Sequence, residues 1–138
     1  MRAVVQRVGR ASVSVDGREV SSIGEGLFVL LGIERGDRPE TAGSLAEKVS
    51  HLRIFSDVDG RMSEARGERE ILCVSQFTLL GDATKGNRPG FSRAAPQEEA
   101  EPLYEAFCEG CGAKRGAFGE EMSIDLSLDG PVTILIEG

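Results

Sequence analysis

Ser75, Gln76 and Thr78 stand inside an otherwise apolar run, Ile71-Leu72-Cys73-Val74-Ser75-Gln76-Phe77-Thr78-Leu79-Leu80, and are the side chains best placed to do chemistry. The run reads as a core strand. A hydroxyl or amide covered there without a partner costs about 1–3 kcal/mol, so these three either pair within the fold or face a polar ligand. The loop that follows, Gly81 to Phe91, is rich in turn formers and carries Lys85 and Arg88 beside Phe91. A strand that ends in a cationic loop makes a rim suited to phosphate.

Elsewhere the chemistry-bearing residues are isolated. His51 is the only histidine, and no motif sets a serine or cysteine nucleophile beside it, which favours a structural or surface role. Cys108 and Cys111 form a C-x-x-C with no second such pair or histidine pair, and Cys73 falls in the core strand. Asp57-Val58-Asp59-Gly60 lacks the later ligands of a calcium loop and reads as a turn. Neither a metal nor a cofactor is expected.

The 138 residues suit one domain, 1–138, with a single core. A hydrophobic fraction of 40% with 28% charged residues describes a soluble globular chain. No long apolar run follows the basic N-terminus, and Leu27 to Leu31 is far too short to span a membrane, so the expected location is cytoplasmic and no membrane partner is foreseen. A formal net charge of −7 repels nucleic acid at long range. DNA is therefore not an expected partner, and RNA would have to be held at a local basic rim such as Lys85, Arg88 and Arg93.

The elements that must hold these residues alternate in type. Arg2 to Val8 and Ala11 to Val15 read as strands, with a hairpin signal at Asp16-Gly17 before Arg18-Glu19-Val20. Leu27 to Ile33 suits a strand covered on both faces. Asp37 is the expected N-cap of a helix with Pro39 just inside it, and Ala42, Leu45, Ala46, Val49 and Leu52 form its apolar stripe. Arg53-Ile54-Phe55 reads as a short strand and Met62 to Glu70 as a connecting loop. A second helix opens at Pro96-Gln97-Glu98-Glu99, buries Leu103, Tyr104, Phe107 and Cys108, and stops at Gly110 and Gly112. Lys114 to Glu121 reads as a loop. Met122 to Leu126 and Val132 to Ile136 read as two last strands, parted by Ser127-Leu128-Asp129-Gly130-Pro131. This order points to an α+β domain, mostly antiparallel and barrel-like, covered by two main helices; no dinucleotide or phosphate-loop glycine motif is present.

Two motifs then stand together: Ser75-Gln76-Phe77-Thr78-Leu79, and Asp129-Gly130-Pro131-Val132-Thr133 at the head of the last strand. With Met1 to Val8, Leu52-Arg53-Ile54-Phe55, Lys85-Gly86-Asn87-Arg88-Pro89 and Pro102 to Phe107, the chain resembles the D-aminoacyl-tRNA deacylase family over nearly its whole length. Leu80-Gly81, Ser63-Glu64 and Leu128 differ from that family's usual residues. The resemblance implies the family's fold and a homodimer whose pockets are each completed by the Gly130-Pro131 turn of the other subunit, in cis. It implies hydrolysis of the ester joining a D-amino acid, or glycine, to the terminal adenosine of tRNA. Phe77 and Thr78 would supply backbone N–H groups to the oxyanion. Ser75, Gln76, Gly130, Pro131 and Thr133 would contact substrate, Lys85 and Arg88 would line the RNA rim, and the ribose 2′-hydroxyl would assist the attacking water. Two other readings stay open: a related hydrolase with a trans Gly-Pro turn and a wider pocket, and a non-catalytic holder of RNA 3′ ends.

Overall fold

The computed structural model describes residues 1–138, and its elements fall in the order β1 (Arg2–Val15), β2 (Arg18–Ile23), β3 (Gly26–Gly32), α1 (Pro39–Ser50), β4 (Phe55–Ser56), β5 (Met62–Glu64), β6 (Glu70–Ser75), a 3₁₀ turn (Phe77–Leu80), α2 (Gln97–Cys111), β7 (Lys114–Arg115) and β8 (Ser123–Glu137). β1 is the axis. It pairs antiparallel with β3 over its first half, with β2 over its second, and with β8 along most of its length. β3 and β6, then β6 and β7, pair in parallel, giving a mixed six-stranded sheet in the order β2-β1-β3-β6-β7 with β8 on β1. The Lys114 ammonium donates to the Ser22 carbonyl at 3.0 Å and so links β7 to β2 where the sheet curls toward closure.

The strand faces separate two apolar groups. Ala3, Val5, Val29, Leu31, Ile71 and Cys73 alternate onto the face covered by Leu45 and Val49 of α1 and Tyr104 and Phe107 of α2. Val8, Val13, Phe28, Leu72 and Val74 fill the opposite, curled face. The helices approach closely at Gly110, where a Cβ would come within 2.9 Å of the Ala46 methyl. Tyr104 is 1% exposed, and its hydroxyl donates to the Cys73 carbonyl at 2.7 Å, so the buried phenol is satisfied.

Several local expectations are corrected. The run from Ile71 to Leu80 is not one strand: β6 ends at Ser75 and the chain coils into the 3₁₀ turn. Arg2–Val8 and Ala11–Val15 are one strand, and so are the two expected last strands, because register shifts opposite Gln6, Val8 and Arg10 absorb the irregularity without breaking the ladder. Asp37 does not cap α1; Arg38 occupies the cap position without a side-chain bond, while the Asp37 carboxylate pairs with the Met1 ammonium at 2.9 Å and accepts the Glu34 N–H at 2.8 Å. The strand near Ile54 is confined to Phe55–Ser56, and its partner Met62–Glu64 lies within the expected loop. The expected loop after Gly112 contains the short parallel strand β7.

Candidate active site

The 3₁₀ turn is set by space and by one arginine. Leu80 is fully buried, and Gly32 makes room for the turn: a Cβ there would lie 2.6 Å from Leu80 Cδ2, 2.9 Å from Leu79 Cβ and 3.1 Å from the Gln76 carbonyl. Arg2 donates to the Leu79 carbonyl at 2.9 Å and pairs with Glu137 at 2.9 Å, fastening the turn to the first and last strands. The Gln76 N–H bonds the Leu31 carbonyl at 2.8 Å, the last link of the β3–β6 ladder. A 3₁₀ turn leaves its first amides without an acceptor inside the turn. The first internal bond is from Leu79 to Gln76, so the N–H groups of Phe77 and Thr78 have no partner within the chain. The strand expected here would have tied such groups into a ladder; the coil sets them free.

Ser75, Gln76 and Phe77 line a cavity of about 530 Å³ whose other walls are Val74, Ala95, Gln97 and Ala100 on one side and Phe118 to Met122 and Ile124 on the other. Ser75 and Gln76 are half-buried, while Phe77 and Thr78 are exposed. The Gln76 side-chain amide donates to the Thr78 hydroxyl, which has no other side-chain partner. His51 is far from this arrangement in role as well as in sequence: it ends α1, exposed, its Nδ1 2.8 Å from the Glu47 carbonyl. No group of three or more His, Cys, Asp or Glu side chains gathers as for a metal ion.

Gly130, Pro131 and Thr133 do not line this cavity. The Gly130–Pro131 peptide is cis, both residues are exposed, and Gly130 adopts φ +123°, a conformation suited to glycine. Gln6 donates to the Thr133 hydroxyl at 3.4 Å. Arg7, a residue the sequence did not single out, braces the turn. Its Nη1 donates to the Ile54 carbonyl at 2.7 Å, and its Nε lies 3.3 Å from the Asp129 carbonyl and 3.2 Å from the Asp129 carboxylate. Lys85 and Arg88 are exposed and enter no ion pair, whereas Arg93 is held by Glu34 at 2.8 Å.

Sequence reasoning also missed the wall from Phe118 to Met122. Its signal was Gly116-Ala117-Phe118-Gly119, an aromatic between two glycines, of which Gly119 has φ +76° and lies against Gln97. Behind the site, burial pushes the Cys73 thiol well above its ordinary value and the Tyr104 phenol likewise. The neighbouring Cys73 thiol draws Cys108 downward, and burial pushes Cys111 up to about 11. Cys73 and Tyr104 therefore stay neutral near pH 7.

A family model described as D-Tyr-tRNA(Tyr) deacylase matches residues 4–137. The chain belongs to that family. D-aminoacyl-tRNA deacylase of Anaeromyxobacter dehalogenans (strain 2CP-C) is 54% identical to it over 99% of this chain and 97% of the relative. The protein of the same name from Symbiobacterium thermophilum is 51% identical over 99% and 95%. Among solved structures, one titled c-Myc DNA Unwinding Element Binding Protein superposes with a TM-score of 0.94 at 44% identity, covering 100% of this chain and 99% of that one. Another, titled Structural Analysis of a probable eukaryotic D-amino acid tRNA deacylase, has a TM-score of 0.80 at 19% identity over 98% and 97%, a likeness of fold. The deacylase family read from the two motifs, its α+β barrel-like fold and its hydrolase class are all borne out.

Proposed function

We propose that the chain hydrolyses the ester between a D-amino acid and the terminal adenosine of tRNA, releasing free amino acid and tRNA, and that it acts on glycyl-tRNA(Ala) as well. The observation that carries this is the pair of unpartnered amides at Phe77 and Thr78 beside the cavity. Water adds to the ester carbonyl, the negative oxygen that forms is met by the two N–H groups, and the ribose 3′-oxygen leaves with a proton. Donors fixed before reaction are worth more than donors that must reorganise. The Thr78 hydroxyl has no side-chain base against it, so it is a weak nucleophile at its ordinary acidity. The tRNA 2′-hydroxyl therefore orients and activates the water, while Ser75 and Gln76 hold the ribose and adenine. Lys85 and Arg88, free of protein anions, meet the phosphates.

Chirality is read by a second copy of the chain. In this reading the carbonyls of the partner's Gly130-Pro131 turn, with Thr133 beside it, enter the cavity and occupy the space an L side chain needs, so rejection comes from overlap. Two features support a homodimer. Strand register sets Leu135, Val4, Leu30 and Val74 in one row on the sheet face away from the helices, and Leu135 is 61% exposed there. Val74, buried at the inner end of the row, also belongs to the cavity wall, so a partner seated on Leu135 lies on the same sheet face as the site. We further propose that residues 1–138 act as one deacylase domain in the cytoplasm, where charged tRNA is found; no helix is long and apolar enough to cross a membrane.

The test is incubation with D-tyrosyl-tRNA and L-tyrosyl-tRNA at sub-stoichiometric protein. Loss of the D-ester alone is expected, and an unchanged D-ester rejects the proposal in favour of an RNA-holding module. Mixing a Pro131→Ala chain, which should lose its preference for the D-ester, with an excess of an inactive Gln76→Ala chain should restore that preference through mixed dimers. Failure to do so removes the shared site.

A further inference from the structure

The chain has six phenylalanines and one tyrosine. Phe28, Phe55, Tyr104 and Phe107 are buried, and Phe118 packs on Tyr104 with ring centres 5.4 Å apart. Only Phe77 and Phe91 are open to solvent, 55% and 36% exposed, and they touch edge to face with centroids 5.1 Å apart. One exposed ring needs no explanation. Two in contact, one of them in the cavity wall, form a continuation of the site.

The second ring is held in place. Gly81 has φ −64°, so its backbone does not call for glycine; space does, since a Cβ would lie 3.0 Å from Phe91 Cε1 and 3.0 Å from the Thr78 carbonyl. The neck of the loop is closed by reciprocal 2.8 Å bonds between Asp82 and Gly90, and the Asp82 carboxylate accepts the Thr84 N–H at 2.9 Å. Lys85 and Arg88 extend from the loop beyond that neck, exposed and unpaired.

We propose that Phe91, braced by Phe77, is a stacking platform for the nucleobase just before the terminal adenosine, the second cytosine of the tRNA CCA end, with Lys85 and Arg88 on its flanking phosphates. This rests on the ester-hydrolase reading, which fixes the ester carbonyl at the Phe77 and Thr78 amides and the terminal ribose at Ser75 and Gln76, and so brings the preceding nucleotide to the rim. An aromatic face beside mobile cations is how proteins grip unpaired nucleotides, and stacking is indifferent to the rest of the tRNA because every tRNA presents the same end.

The test uses uncharged acceptor-stem minihelices ending in CCA or in C-abasic-A, with binding read by fluorescence anisotropy. The native chain should prefer CCA on the order of tenfold, as expected for one base stacked on one ring. Phe91→Leu should bind both RNAs at the abasic level, Phe91→Tyr should keep the preference, and circular dichroism should show all three folded. Equal weakening of both RNAs by Phe91→Leu, no weakening of either, or no binding of CCA by the native chain overturns the platform. If instead Phe91→Leu changes the oligomeric state, the ring pair is a subunit contact and the proposal is wrong. Because the RNA is uncharged, base preference without D-ester hydrolysis rejects the deacylase reading and keeps the platform, and hydrolysis without base preference does the reverse.

Discussion

Thr78 separates two chemistries that share one residue. Its hydroxyl accepts from Gln76, and no carboxylate or imidazole stands by to take its proton, so Thr78→Ala should lower kcat by roughly tenfold or less. Removal of a covalent nucleophile commonly costs on the order of a thousandfold or more, and a fall of that size in single-turnover kinetics with tRNA binding intact would restore a threonyl intermediate. Arg7 belongs to the other half of the site. Its side chain is 11% exposed and bonds Ile54 on one side and Asp129 on the other. Arg7→Ala should lower stability by about 1–3 kcal/mol in urea titration and narrow the preference for D- over L-tyrosyl-tRNA.

The position of Ser75 at the end of a core strand was legible because the apolar run before it is written residue by residue; that the strand stopped there, leaving Gln76 outside it, was not. Leu79 and Leu80 look like more strand, and only Gly32, distant in sequence and close in space, shows that the chain coils there. Gly32→Ala should therefore cost about 1–3 kcal/mol in thermal unfolding and reduce turnover by shifting the Phe77 and Thr78 amides; unchanged kcat would mean the turn yields freely. Arg7 and the Phe118 wall were hidden for the same reason, since their partners lie on other elements. At β4 and β5 the turn carboxylate of Asp57 accepts the Ser63 hydroxyl and the Arg61 and Asp59 N–H groups, which hold it below its ordinary 3.8. A depressed value means that the contribution is present above the ordinary value and is lost as pH falls through the folded one. Amide exchange at Asp59 and Arg61 should be slow at neutral pH and quicken, relative to the rest of the sheet, only below about pH 4; protection that persists at pH 2 would show that the carboxylate is not what holds the turn.

Across the whole molecule, Leu135, the exposed outer end of its row, sets the expected assembly. Leu135→Asp should yield a monomer by light scattering with native circular dichroism and no deacylation; an active monomer would show that one copy is enough. The pairing of β1 with β8 also bears on how the chain comes into being. The first strand made must wait for the last, because Val5 finds Ile134 and Ala3 finds Ile136 only after more than a hundred intervening residues have been added. Until then β1 leaves the ribosome with one ladder edge bare, open to any strand that will pair with it. A ribosome stalled before Ser123 should hold a nascent chain that binds chaperone and is readily cut by protease, however well its helices have formed.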